Sequence, residues 1–276
     1  INLNEDEPLE VEIPGARVAK KVIVSRSALE ADAIINVPIM KTHFLASVTL
    51  GMKNLKGCLI GHEKSRFHIL GLHRASADLN LLLKPRLTLI DATVAGEGMG
   101  PHWGEDIRLD LVLAGDDPLA TDVAGAALMG YRAEEVDHLR LFAQKEGRSL
   151  SLKSIELLGE PISEVRREFK RPPARLEVPR DVRLISGEPC CGCIGSLMVS
   201  FHLFEKNGDL DILRDYTIVV GPKAELPADY EKLLIVGNCA ARFKGAGLFA
   251  AGCPPSAENL PYFKLCAEKA VEGVVP

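Results

Sequence analysis

Long apolar runs are missing from this chain of 276 residues. None approaches the ~20 residues that a bilayer crossing requires. No basic start followed by an apolar segment reads as a secretion signal. Arginine and lysine never gather into a long block, and the formal net charge is −5, which does not favour a nucleic-acid surface. Neither a Walker A pattern nor a Gly-x-Ser-x-Gly nucleophile elbow occurs, so P-loop and serine-hydrolase chemistry have no sequence support. An initial methionine is also lacking, which leads us to expect a fragment or processed product. Cysteine is sparse for a disulfide scaffold: seven residues, an odd number, in a long chain. The expectation is a reducing compartment, the cytoplasm, with the thiols used for ligation.

Those cysteines are unevenly placed. Pro189-Cys190-Cys191-Gly192-Cys193, Gly237-Asn238-Cys239 and Gly252-Cys253-Pro254-Pro255 put five of the seven in turns beside apolar runs. A buried structural cysteine usually sits inside an apolar run as a small hydrophobe. Thiolates at chain reversals can instead converge on a common centre, as a 4Fe–4S cluster requires. Cys239 and Cys253 are expected ligands, joined by two of Cys190, Cys191 and Cys193, and the spacing does not choose between those three. The helix expected after Cys193 would direct its amide end at the site and stabilise thiolate charge. Structural zinc is the alternative, though it usually takes paired short-spaced knuckles. Cys58 and Cys266 lie in helical or apolar contexts and read as core residues.

Along the chain, short β-branched runs alternate with helical patterns. Strands are expected at 22–24, 33–37, 87–90, 109–114 and 155–159, and helices at 46–54, 69–83, 119–129 and 134–145. Asp117 and Pro118 form the N-cap and first turn of the third helix. The stretch 95–104 reads as a glycine loop. A charged, proline-punctuated segment, 164–179, reads as a solvated connector. Beyond it strands are expected at 182–185, 217–220, 233–236 and 248–251, with helices at 194–207 and 261–271. The fold class that follows is α/β: a mainly parallel sheet core over 1–160, a linker at 161–180 and a smaller α/β cysteine-bearing domain at 181–276.

The first half concentrates cation-capable residues. Lys41 and His43 follow the strand at 33–37; Lys53, Lys56, His62, Lys64, His68 and His73 come next. Asp91 then ends a strand, and Gly96-Glu97-Gly98-Met99-Gly100 follows. Parallel neighbours would bring these strand ends to one edge, where open α/β sheets build sites. Lys41, His43, Lys53, His68 and His73 are therefore expected to line one polar pocket with Asp91. The backbone of Gly96, Gly98 and Gly100 would approach an anion there. Lysines beside a histidine would lower its pKa and keep it neutral, able to act as a base.

The order of these motifs over residues 31–131, from Pro38-Ile39-Met40-Lys41-Thr42-His43 to Ala114-Gly115-Asp116-Asp117-Pro118, resembles the domain-of-unknown-function family 362. Members of that family are often fused to ferredoxin-type modules and described as iron–sulfur proteins. They usually carry a further β/α segment upstream, in line with the expected fragment. Separately, Gly237-Asn238-Cys239-Ala240 followed by Gly252-Cys253-Pro254-Pro255 is similar to the cluster-binding segment of hydrogenase small subunits and the related complex I subunit. That resemblance implies Cys190, Cys191, Cys239 and Cys253 as ligands. Cys193 and the short interval from Cys239 to Cys253 depart from its pattern.

The functional expectation is an iron–sulfur protein of redox or electron-transfer type. It would have a Lys/His-lined site for a small anionic ligand, a redox partner protein, and neither nucleic acid nor membrane as partner. The alternatives are a non-redox acid–base enzyme (racemase, isomerase or lyase) with structural zinc, or a non-catalytic binding protein.

Overall fold

In a computed structural model of the chain, residues 1–271 are described, and two compact units are formed, Ile1–Pro172 and Pro173–Pro276. Both are α/β.

Unit 1 begins with an antiparallel hairpin, β1 (Pro8–Glu12) with β2 (Lys21–Ser25), of which only the second strand was expected. Helix α1 (Arg26–Glu30) follows, its Ala28 amide bonded to Ser25 Oγ. The strand expected at 33–37 is shorter, β3 (Ile35–Asn36), and resumes after Pro38 as β4 (Ile39–His43). Pro38 cannot donate to a ladder, which breaks the strand without changing its direction. Lys41 and His43 thus lie within a strand rather than after one. The helix expected over 46–54 is instead β5 (Ser47–Val48) and one turn of helix, α2 (Gly51–Asn54). Gly71, at φ +92, splits the next helix into α3 (Glu63–Leu70) and α4 (Leu72–Leu82).

Strand β6 (Leu87–Glu97) is the centre of the sheet. It pairs in parallel with β3 and β4 and antiparallel with β7 (Glu105–Gly115). The expected loop at 95–104 is therefore the tip of a hairpin, and Gly96 belongs to the ladder. Helix α5 (Pro118–Leu128) starts as expected, with Asp117 accepting from the Ala120 N–H at 2.8 Å. Helix α6 (Asp137–Glu146) follows and ends on left-handed Gly147. Residues 155–159 make no strand, and Leu158 is exposed. A short helix, α7 (Ile162–Val165), lies in the segment read as linker. Further along, Phe169 is buried in the unit's core, so this stretch is not wholly a solvated connector.

Inward residues Met40, Ile90 and Ala92 pack against Leu119 and Val123 of α5. The other sheet face carries Ile39, Asp91 and Val112, in register across three strands, with Ile39 and Val112 exposed. Two buried carboxylates fix the surrounding chain. Asp122 accepts from the Gly51 and Met52 N–H groups at 2.7 and 2.8 Å, which anchors the start of α2. Asp78 of α4 accepts from the N–H groups of Arg17, Val18 and Ala19, which ties down the loop of the N-terminal hairpin.

Unit 2 is a wholly parallel sheet in sequential order: β8 (Arg183–Ser186), β9 (Tyr216–Val220), β10 (Lys232–Val236) and β11 (Leu248–Ala250). Helix α8 (Cys191–Asn207) follows β8, and α9 (Pro261–Val271) closes the described chain. Period-two alternation divides the strands cleanly. Ile218, Val220, Leu234 and Val236 pack with Leu197, Phe201 and Leu265 of the two helices, while Val219, Leu233 and Ile235 pack on the opposite face with Ala224 and Ala240.

Candidate functional site

Two groups of chemistry-bearing side chains stand out, one in each unit. In unit 1, β4 delivers His43 into a buried position, where its Nδ1 accepts from the Leu45 and Ala46 N–H groups at 3.1 and 3.3 Å. That assignment places the ring proton on Nε2. Burial holds the His43 pKa well below its ordinary value, and the charges of Lys53, Lys56, His68 and His138 lower it further. His68 Nε2 lies 3.0 Å from Lys56 Nζ, and its pKa falls to about 3, first through burial and then through Lys56 and Lys53. Burial pulls Lys53 down to about 8. His73 stacks on His138 of α6, ring centroids 5.7 Å apart. His138 is buried, and its pKa drops to about 3 for the same reason, with His73 and Lys53 adding to the effect.

The structure thus brings His43, Lys53, His68 and His73 into one electrostatically linked group and adds Lys56 and His138. His138 sits in a helical pattern far along the chain and gave no sequence signal. The other five expected members, Lys41, Asp91 and the three glycines, have other partners. Lys41 runs along Gly96 and reaches the Pro101 carbonyl at 3.5 Å. Asp91 is mid-strand, because β6 continues six residues beyond it, and its carboxylate accepts from the N–H and hydroxyl of Thr93. The glycines hold the hairpin tip against β4: Gly98 N–H donates to the Lys170 carbonyl, Gly100 N–H to the Gly98 carbonyl, and a Cβ on Gly100 would stand 2.2 Å from the Thr42 oxygen. Those two amides are already bonded within the protein, and Gly96 pairs with Asp106; close packing accounts for Gly96 and Gly100, and a left-handed backbone at φ +77 for Gly98. Glu97 is buried and accepts from the Lys170 N–H.

In unit 2 the thiols lie where the strands end at their carboxyl edge. Cys190 is the residue before the first turn of α8, Cys239 follows β10 and Cys253 follows β11. Cys193, buried in the first turn of α8, hydrogen-bonds Cys190 and feels the charges of Cys190, Cys239 and Cys253. The pair titrates as one system. Cys190 is lowered to about 5, first by the Cys193 thiol and then, against burial, by the Cys193 and Gly192 amides. Cys193 is raised, because it gives its hydrogen bond to Cys190 and is buried. Burial and the neighbouring thiols also raise Cys253. Gly237, at φ +84, is the only residue type that fits its place: a Cβ there would be 2.6 Å from Cys193 Sγ. Cys191 is half-buried on α8. Cys58 is buried and Cys266 packs against the core of unit 2, as expected.

Among the described residues, no group of three or more His, Cys, Asp or Glu side chains is disposed to hold a metal ion, and no helix is long and apolar enough to cross a membrane.

Comparison with known proteins places the first of these two groups in context. A thylakoid-associated protein of Synechocystis sp. is 33% identical over 105 residues, which cover 36% of this chain and 33% of that protein. The chain therefore spans about a third of the length of that curated relative. No solved structure matches significantly. Residues 1–127 match the profile of the family described as "Domain of unknown function (DUF362)", a stretch that holds His43, Lys53, His68 and His73.

Proposed function

We propose that this is an iron–sulfur protein of redox type, in which Cys190, Cys193, Cys239 and Cys253 hold a 4Fe–4S cluster. The observation that carries the reading is Cys193, which interacts with all three of the other thiols from the first turn of a helix. The donor set suits such a group. Four thiols come from three turns at one sheet edge, helix amides face Cys190, and a glycine leaves room for Cys193 Sγ. When bound, the cluster supplies one-electron transfer. The chain's own part is to bring the four thiols to one sheet edge beside the first turn of α8 and to draw Cys190 toward its thiolate. Free thiols throughout suit a reducing compartment such as the cytoplasm, and electrons would be exchanged with a partner protein.

In unit 1 the Lys53, Lys56, His43 and His68 group forms the second part of this reading, a site for a small anionic ligand. Its neutral imidazoles also favour a second reading, acid–base catalysis by a racemase, isomerase or lyase with zinc on the thiols.

Anaerobic purification with iron, sulfide and zinc analysis separates the two. The expected result is a brown protein that carries both iron and sulfide. Cys193→Ser should lose most of its visible absorption and Cys191→Ser should keep it. A colourless protein with stoichiometric zinc supports the second reading, and retention of the cluster by Cys193→Ser removes Cys193 from the ligand set.

A further inference from the structure

Unit 2 holds a pair of thiols whose geometry serves a chemistry separate from ligation. Cys190 is the N-cap of α8, and the Ile194 N–H donates to its carbonyl at 3.3 Å, which closes the first helical turn around Cys193. The two side chains stand three residues apart on that turn, so helix geometry alone makes them neighbours. The Cys193 thiol donates to Cys190 Sγ, as do the Gly192 and Cys193 N–H groups. Both cysteines are free. A disulfide joins Cα atoms about 4.4–6.8 Å apart, and one helical turn rises about 5.4 Å, so a bond between them needs little movement of the backbone.

Their exposure differs in the sense that exchange requires. Cys190 is half-buried, whereas Cys193 is 5% exposed and its Sγ lies against Gly237, where a Cβ would stand 2.6 Å away. An incoming disulfide reaches the first sulfur and not the second. Thiol–disulfide exchange uses this division: an accessible attacking sulfur beside helix amides, and a shielded one within bonding range that resolves the adduct. Cys191 does not replace Cys193 as the resolving thiol, because consecutive side chains on a helix do not face each other.

We infer that Cys190 and Cys193 form a thiol–disulfide exchange pair that reduces low-molecular-weight disulfides. The Cys190 thiolate attacks one sulfur of the substrate, whose S–S bond breaks and releases a first thiolate. The Cys193 proton passes to that thiolate, and the Cys193 sulfur attacks Cys190 Sγ, which expels the second. The pair loses two electrons and gains one S–S bond; the substrate gains them and leaves as a thiol and a thiolate. This chemistry needs the two sulfurs free of iron, so it stands apart from the cluster reading.

The test is a single turnover. The full chain, reduced and freed of any iron by anaerobic chelation, is mixed with oxidised glutathione. A Cys190–Cys193 disulfide should form, mapped by mass spectrometry after alkylation, with release of both glutathione equivalents. Cys193→Ser should stop halfway, with one glutathione released and the other held on Cys190. Cys190→Ser should lose both releases, and Cys191→Ser should match the wild type. If a variant does not fold, the wild-type peptide map carries the test. A map that pairs Cys190 or Cys193 with a different cysteine, or thiols that stay reduced, overturns the inference. If the purified chain holds iron and sulfide but its thiols stay inert after chelation, the cluster reading stands and the exchange pair falls. If the purified chain holds no iron and reacts, the exchange pair stands and the cluster falls.

Discussion

The two units treat ionisable groups in opposite ways. Unit 1 draws imidazoles and a lysine inward, where burial strips their charge. Unit 2 keeps its thiols at a sheet edge, where helix amides and a neighbouring thiol draw one of them toward its charged form. Burial dominates the first group, and hydrogen bonding the Cys190–Cys193 pair of the second. The lesson is that proximity of like groups has no fixed consequence: the solvent they have lost, set against the dipoles they have gained, decides which protonation state the fold selects.

Acid should break that contrast most strongly. His138 and His68 have folded pKa values of about 3 against 6.5 unfolded, so the stability they give is full above 6.5 and is lost as pH falls toward 3. For the fully buried His138 alone the loss is on the order of 4 kcal/mol. Asp122, raised to about 7 by burial, takes up a proton over part of the same range and opposes the loss. Chemical denaturation at stepped pH should show unit 1 weakening from about pH 6 downward, with a shallower slope in His138→Leu. An unchanged slope would mean that His138 is not held neutral.

Asp122→Ala is the next largest effect. It strands the Gly51 and Met52 N–H groups in the core, which should destabilise unit 1 by about 2–4 kcal/mol, read by urea unfolding. In unit 2, Gly237→Ala forces a Cβ onto Cys193 Sγ at positive φ and should cost about 1–3 kcal/mol. It should also disturb thiol titration there while it leaves His43 and His138 resonances unmoved. Smallest is Arg108→Ala, which removes an exposed ion pair with Asp110 and should change stability by less than about 0.5 kcal/mol.

The parallel sheet of unit 2 was legible because each strand is a short, largely apolar run between turns, and because Pro261 marks the start of the last helix. Its thiols were legible for the same reason: glycine and proline mark the turns. Unit 1 resisted in specific places. Pro38 looked like the end of a strand that in fact resumes, so Lys41 was assigned to a strand end it does not occupy. The hairpin of β6 and β7 hid inside a glycine-rich stretch, since small residues that permit a loop also permit close strand contact. Asp91 lay mid-strand for that reason. His138 could not be found at all, because helical spacing records which face is buried and not which distant side chain meets it there.

Asp78 has a consequence for dynamics. Its carboxylate binds three successive loop amides, those of Arg17, Val18 and Ala19, from within α4. Loop amides ordinarily exchange with solvent through small local openings. These three can exchange only when the carboxylate leaves, so their protection tracks the opening of α4 rather than that of the hairpin that contains them. The reversal at residues 13–20 therefore belongs to the same cooperative unit as a helix some sixty positions away in sequence.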